Sequence, residues 1–314
     1  MTDAGAPILP TPPTLPTLRP LGVGDIVDQT IAIYRASPGL FVVLAALPYL
    51  VLAIMTLLLD LAFSGSTPFT NLPSILDPSD PTRFTSFTPG QLAGLVTFGI
   101  VIGVVSVLVL SVQAAALVDA MSERYLGRDT TIIGSLRAGL RASVRLILAS
   151  IIAFVVFVAV VAVAIFALGL ASAALRNPLP AIVGVIAMIV VVLYVVASWM
   201  PLPAVITLEG AGPIAGLRRA WRLAGGARWR ILGLLALMTI LQVIIGLLFG
   251  LVLLGTVSTG GAVKTVLQEV VNLAVNALWA PIQWGVFTLL YYDLRVRKEA
   301  FDLQFAAEAM PRAT

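Results

Sequence analysis

Glu269, Asn272, Asn276 and Gln283 recur at offsets of 0, 3, 7 and 14, which puts them on one face of a helix, with Trp279 on the same face. The surrounding residues are apolar. A row of amides and a carboxylate in such a helix has two uses. It can hydrogen-bond to neighbouring helices, or it can line a pathway for a solute. Gln113 and Gln242 each lie in a different apolar run and are candidates to meet this row. Glu269 falls near the outer end of its run, where it can also reach the interface.

A second set is basic. Arg137, Arg141 and Arg145 are spaced by four and form one stripe, and Arg218, Arg219 and Arg222 surround Trp221. Guanidinium groups pair with phosphate in a planar fork. These residues are expected to contact phospholipid headgroups or a protein partner, with simple anchoring of the bundle as the plainer use.

The chain has no His and no Cys. That excludes disulfides, thiolate metal sites and Cys nucleophiles, and removes the commonest general base and metal ligand. No phosphate loop, nucleophile elbow, metal cluster or spaced carboxylate pair is found. Neither catalytic residues nor a metal or cofactor is expected.

Composition says what positions these side chains. The 314 residues are 60% hydrophobic and 11% charged, with a mean hydropathy of +1.06. A soluble domain carries roughly 25% charged residues. This chain therefore belongs in lipid, where apolar side chains can face outward. The pI of about 9.8 comes from a small arginine excess. The basic residues flank apolar runs, so anionic headgroups are the expected partners rather than nucleic acid.

Six runs reach the length of about 20 residues that spans a bilayer: 40–62, 92–118, 146–171, 179–201, 231–254 and 266–292. Pro48 and Pro281 fall inside two of them. Sixteen of the nineteen Lys and Arg residues fall in the N-terminal segment, 119–145, 202–230 and the C-terminal segment; the others are Arg83, Arg176 and Lys264. The positive-inside bias predicts a multi-pass protein of the cell membrane with both termini cytoplasmic.

Residues 1–20 carry six prolines and read as a flexible cytoplasmic tail, 21–300 as the membrane domain, and 301–314 as a short cytoplasmic tail. The tail lacks the apolar core of a signal peptide, so the first run is expected to serve as a signal anchor. Of the outer loops, 63–90, 172–178 and 255–265, only the first is long. It reads as a solvated loop or a small lid. Asp60 and Asp119 sit at run ends and are expected to be wet.

An amphipathic stretch precedes each odd-numbered run: Asp25–Ala36, Thr131–Ser143 and the segment from Pro213 to Gly225-Gly226. Ile214, Leu217 and Trp221 are expected on one face of the third. The predicted fold is all-α: six transmembrane helices as three hairpins, each preceded by a surface helix. The Gly99/Gly103 and Gly246/Gly250 pairs match the small-residue packing pattern and are expected at close helix contacts within the chain.

Three stretches carry a family resemblance: "RPLGVGDIVD" (19–28), "LEGAGPIAGLRRAWRLAGGARWRILG" (208–233) and "TLLYYDLRVRKEAFDL" (288–303). Together they resemble the membrane domain of the glycerophosphoryl diester phosphodiesterase family, over nearly the whole chain after the tail. The resemblance implies a bacterial multi-span module of poorly defined role. In some relatives it is fused to a phosphodiesterase barrel that needs catalytic histidines and a carboxylate-bound metal. With no histidine and only a short tail after the last run, this chain is expected to lack that activity and to stand without the barrel.

Two functions follow. One is a non-enzymatic scaffold or accessory protein that contacts anionic lipids through its basic helices. The alternative is a transporter or lipid-handling permease with a polar path along the sixth run.

Overall fold

The computed structural model describes residues 19–62, 89–176, 179–254 and 262–304. The expected 63–90 loop therefore lies almost wholly outside the described residues, as do 1–18 and 305–314 of the two tails. Among the described residues, helix is the only regular structure. The order is α1 (Val23–Ala36), α2 (Pro38–Ala62), α3 (Pro89–Tyr125), α4 (Ile132–Leu175), α5 (Leu179–Trp199), α6 (Leu202–Leu208), α7 (Pro213–Ala224), α8 (Arg228–Leu254) and α9 (Ala262–Glu299). Six are long and apolar enough to cross a membrane: α2, α3, α4, α5 with its continuation α6, α8 and α9.

Local chemistry sets the boundaries. Thr131 caps α4 by accepting the Gly134 amide at 3.1 Å. Asp25 in the first turn of α1 accepts the Gly22 amide at 2.9 Å. Pro213 opens α7, where its missing N–H costs nothing. Gly226 follows α7 in the left-handed region, at φ 76°. Pro48 and Pro281 lie inside α2 and α9.

The longest helices exceed what a bilayer crossing needs. The 44 residues of α4 make a rod of about 66 Å, twice the roughly 30 Å hydrocarbon thickness. The core sits at the arginine-rich end. Leu117, Met121, Ile206, Leu223, Ile231, Leu234, Leu289 and Tyr291 are fully buried there. At the opposite end, large apolar residues such as Phe154, Val163 and Phe166 of α4 and Ile182 and Val183 of α5 are exposed. That distribution suits lipid, which solvates apolar groups as well as a protein core does.

Several expectations need correction. The amphipathic stretch 131–143 is not a separate helix, because neither Gly nor Pro separates it from the following run. It forms the first turns of α4. α6 was not anticipated. Pro201 follows the end of α5, and Leu202, Ala204, Val205 and Ile206 then turn inward as a short buried helix. In α7, Ile214, Leu217 and Trp221 share a face by their offsets of 0, 3 and 7, but only Leu217, at the edge of that face, is buried, beside Gly216, Ala220, Leu223 and Ala224, while Ile214 and Trp221 are exposed.

The glycine pairs are also placed differently. A Cβ at Gly99, Gly103, Gly246 or Gly250 would meet nothing within 4 Å. The close approaches occur at glycines that belong to no such pair. A Cβ on Gly139 would lie 2.8 Å from the Val112 carbonyl, and one on Gly285 would lie 2.6 Å from Thr30 Cγ2. Asp119 is half-buried and hydrogen-bonded to Ser135 rather than wet.

Candidate functional site

The three stretches singled out in the sequence meet at the arginine-rich end. Asp293, near the end of α9, is fully buried. Its Oδ1 accepts the Leu21 amide at 2.7 Å and the Arg297 Nε at 3.0 Å. Its Oδ2 accepts from Arg230 at the start of α8. Arg230 and Arg297 both donate in turn to the Leu21 carbonyl. One buried carboxylate therefore ties the segment before α1 to α8 and α9. Its charge is matched by two guanidiniums, as a buried ion requires.

A second network lies beside it. Arg219 of α7 forks onto Glu209, at 3.0 Å from Nε to Oε2 and 3.1 Å from Nη2 to Oε1. It also donates to Glu299, at 2.8 Å from Nη2 to Oε2. Arg295 donates to Glu299 at 3.1 Å and to the Tyr291 hydroxyl at 3.2 Å, and that hydroxyl donates to Glu209 at 2.9 Å. The five side chains close a ring. The bonds to Glu299, then to Glu209, hold the Arg219 guanidinium above its ordinary pKa. Lys298 caps the carbonyl end of α7 by donating to Arg222 O at 3.0 Å and to Gly225 O.

This arrangement divides the arginines expected to meet headgroups. Arg219 is spent on Glu209 and Glu299. Arg145 is half-buried and donates to the Gly210 carbonyl. Neither is free for a headgroup, because the fold needs both to join segments distant in sequence. Arg137, Arg141, Arg218 and Arg222 are exposed. Among the described residues, none of these four has a carboxylate within ion-pair distance. Arg218, Arg222 and Trp221 line a groove of about 660 Å³ with Trp199, Ala215 and Leu217. It is mostly apolar, with two cations at its rim.

Arg228 lies behind Trp221. Its guanidinium sits 4.2 Å from the Tyr194 ring centre and 5.3 Å from that of Trp221. Its Nε donates to Ser198 Oγ at 2.8 Å. Arg228, Arg230, Glu209, Tyr291 and Asp293 lie in the stretches that carry the family resemblance, but sequence pattern alone assigned them no individual role. The i,i+4 pairs Tyr291–Arg295 and Asp293–Arg297 within α9 were the one signal their spacing carried; the remaining partners lie on other segments.

The polar row of α9 is only partly assembled. Gln113 Nε2 donates to Asn276 Oδ1 at 2.6 Å and to the Ala45 carbonyl at 2.5 Å, joining α3, α9 and α2. The neighbouring Leu44 carbonyl faces the missing amide of Pro48, so Gln113 supports α2 where its backbone bonding is weakest. Asn272 and Gln242 are exposed, and Gln242 does not join the row. Gln283 is half-buried. Glu269 is half-buried in a groove of about 130 Å³ between α2 and α9, whose other lining residues are apolar. Trp279 is buried, and its indole N–H has no partner among the described residues.

Among the described residues, no group of three or more Asp and Glu side chains could hold a metal ion. No curated protein and no solved structure matches the chain. A family model described as a domain of unknown function (DUF7847) matches residues 21–294, from the Leu21 clasp through Asp293 and the bundle between them, and the chain belongs to that family.

Proposed function

We propose that this protein is a non-enzymatic scaffold or accessory protein of the cell membrane. Its basic end faces the cytoplasm and gathers anionic phospholipids. One observation carries the reading: Arg137, Arg141, Arg218 and Arg222 stay exposed and, among the described residues, without an ion-pair partner at an end where Arg219, Arg230, Arg295 and Arg297 are all paired. α4 and α7, which carry the four charges, pack against one another. Trp221 supplies an amphipathic ring of the kind favoured at headgroup depth. Each such arginine contributes about 1 kcal/mol toward an anionic surface, less in salt. The resemblance to the phosphodiesterase-family membrane domain is part of this proposal.

The permease reading has less support. Asn276 is bonded to Gln113, and Asn272 and Gln242 lie on outward faces.

The test is lipid selectivity of the full-length protein in mixed bilayers, read from quenching of its tryptophans by brominated lipids. Brominated phosphatidylglycerol should quench more than brominated phosphatidylcholine, and added salt should narrow the gap. Replacing all four arginines with Ala should abolish its salt-sensitive part. A salt-sensitive part that survives the substitutions would end the proposal.

A further inference from the structure

We propose that a single anionic phospholipid is held in the slot between α5 and α8, with its phosphate on Arg228. The site is separate from the four-arginine face and does not rest on it.

The slot holds about 390 Å³, within the size range of small-molecule sites. Val190, Leu193 and Tyr194 of α5 form one wall, and Trp229 and Leu232 of α8 form the other, with Arg228 and Gly226 at the head. Val190 and Leu193 are exposed on the outside of the bundle, so the slot opens sideways toward lipid. Trp229, 86% exposed at its mouth, has the amphipathic ring favoured at headgroup depth.

The charge at the head points to the occupant. Arg228 is oriented by Tyr194, Trp221 and Ser198, yet no carboxylate lies within ion-pair distance of it among the described residues. Lys298 lies close enough for the two positive charges to repel. The carboxylate nearest that lysine in sequence, Glu299, is held by Arg219 and Arg295. Nε is committed to Ser198, which leaves both terminal nitrogens to donate, the fork that matches a phosphate. A small soluble anion would satisfy the guanidinium but leave the apolar walls unmatched. A neutral lipid would match the walls and leave the charge unbalanced. An anionic phospholipid meets both, with one acyl chain along Val190, Leu193 and Leu232.

The experiment is native mass spectrometry of the full-length protein in mild detergent, with equimolar phosphatidylglycerol and phosphatidylcholine added. We expect one phosphatidylglycerol to be retained under conditions that strip phosphatidylcholine. Arg228→Gln should reduce retention roughly tenfold, the scale of one lost charge-assisted hydrogen bond, and Arg228→Lys should restore part of it. Leu193→Trp should block the slot without touching the guanidinium, and it decides the matter if Arg228→Gln fails to fold. The quadruple Ala variant at 137, 141, 218 and 222 should keep its one lipid while losing the salt-sensitive selectivity, so the two proposals fail independently. Equal retention of the two lipids by the unmodified protein would overturn the assignment. So would undiminished retention in Leu193→Trp, or displacement by millimolar inorganic phosphate.

Discussion

Asp293 accepts the backbone amide of Leu21 at 2.7 Å, although 272 positions separate them in the chain. The bond closes the bundle: the segment entering the first helix is fastened to the end of the last. Arg230 and Arg297 bridge the same carboxylate to the Leu21 carbonyl, so Leu21 is held by both its N–H and its C=O.

Removing that carboxylate should loosen both ends of the chain. Asp293→Ala should cost about 2–3 kcal/mol, less than a fully buried pair because Arg297 is 43% exposed. Asp293→Asn should fall between Ala and the unmodified protein, since its amide oxygen can still accept from Leu21. Thermal unfolding in detergent checks both. Equal stability of all three would show the clasp to be incidental.

Two adjacent arginines of α7 should behave oppositely. Arg219→Ala opens the ring with Glu209 and Glu299, and at about a quarter exposure of all three side chains it should cost about 1–2 kcal/mol. Arg218→Ala should stay within about 0.5 kcal/mol in stability yet weaken selectivity for anionic lipid. The same unfolding assay and the brominated-lipid assay, run side by side, separate the two roles. Reversed outcomes would contradict the division between paired and free arginines.

Orientation is testable because the chain has no native Cys. Single cysteines at positions 137 and 218 should react with an impermeant maleimide only after the cells are opened. Labelling from outside intact cells would invert the assignment of the basic end to the cytoplasm.

The polar contact in the membrane should be modest. Asn276→Leu and Gln113→Leu each break the bond between α9 and α3, at a cost of about 1 kcal/mol, and the double variant should lose less than the sum. Asn272→Leu should be close to neutral, because Asn272 is exposed. A stability loss at Asn272 as large as at Asn276 would indicate that α9 sits in another rotation.

Glycine substitutions should separate true helix contacts from apparent ones. Gly139→Ala should cost about 1–3 kcal/mol, because its Cβ would press on the Val112 carbonyl and the Ala116 backbone, which cannot swing aside. Gly246→Ala and Gly250→Ala should be neutral or slightly stabilising through helix propensity. Unfolding temperatures of the three variants provide the check.

The sequence by itself determined the class of the protein. Long apolar runs leave a chain little choice but helix in lipid, because every backbone group must be satisfied within its own segment. The six spans, and breaks such as Ser37-Pro38 and Gly225-Gly226, were legible for that reason, as was the concentration of arginine at one end. What each arginine does was decided only in three dimensions. Arg218 and Arg219 are adjacent and chemically identical, yet a rotation of about 100° along α7 leaves one exposed and turns the other onto Glu209 and Glu299. Helical periodicity places residues on faces but does not say which face meets protein. That depends on which helices pack together. The same holds for glycine. Gly99 and Gly246 stand in glycine pairs of the small-residue spacing and face open space, whereas Gly139 and Gly285 belong to no such glycine pair and sit where helices touch. Asp293 looked like one more charge beyond a span. The tertiary structure made it a buried anchor, because Arg230 and the Leu21 backbone reach it from distant parts of the chain and join its helix neighbour Arg297.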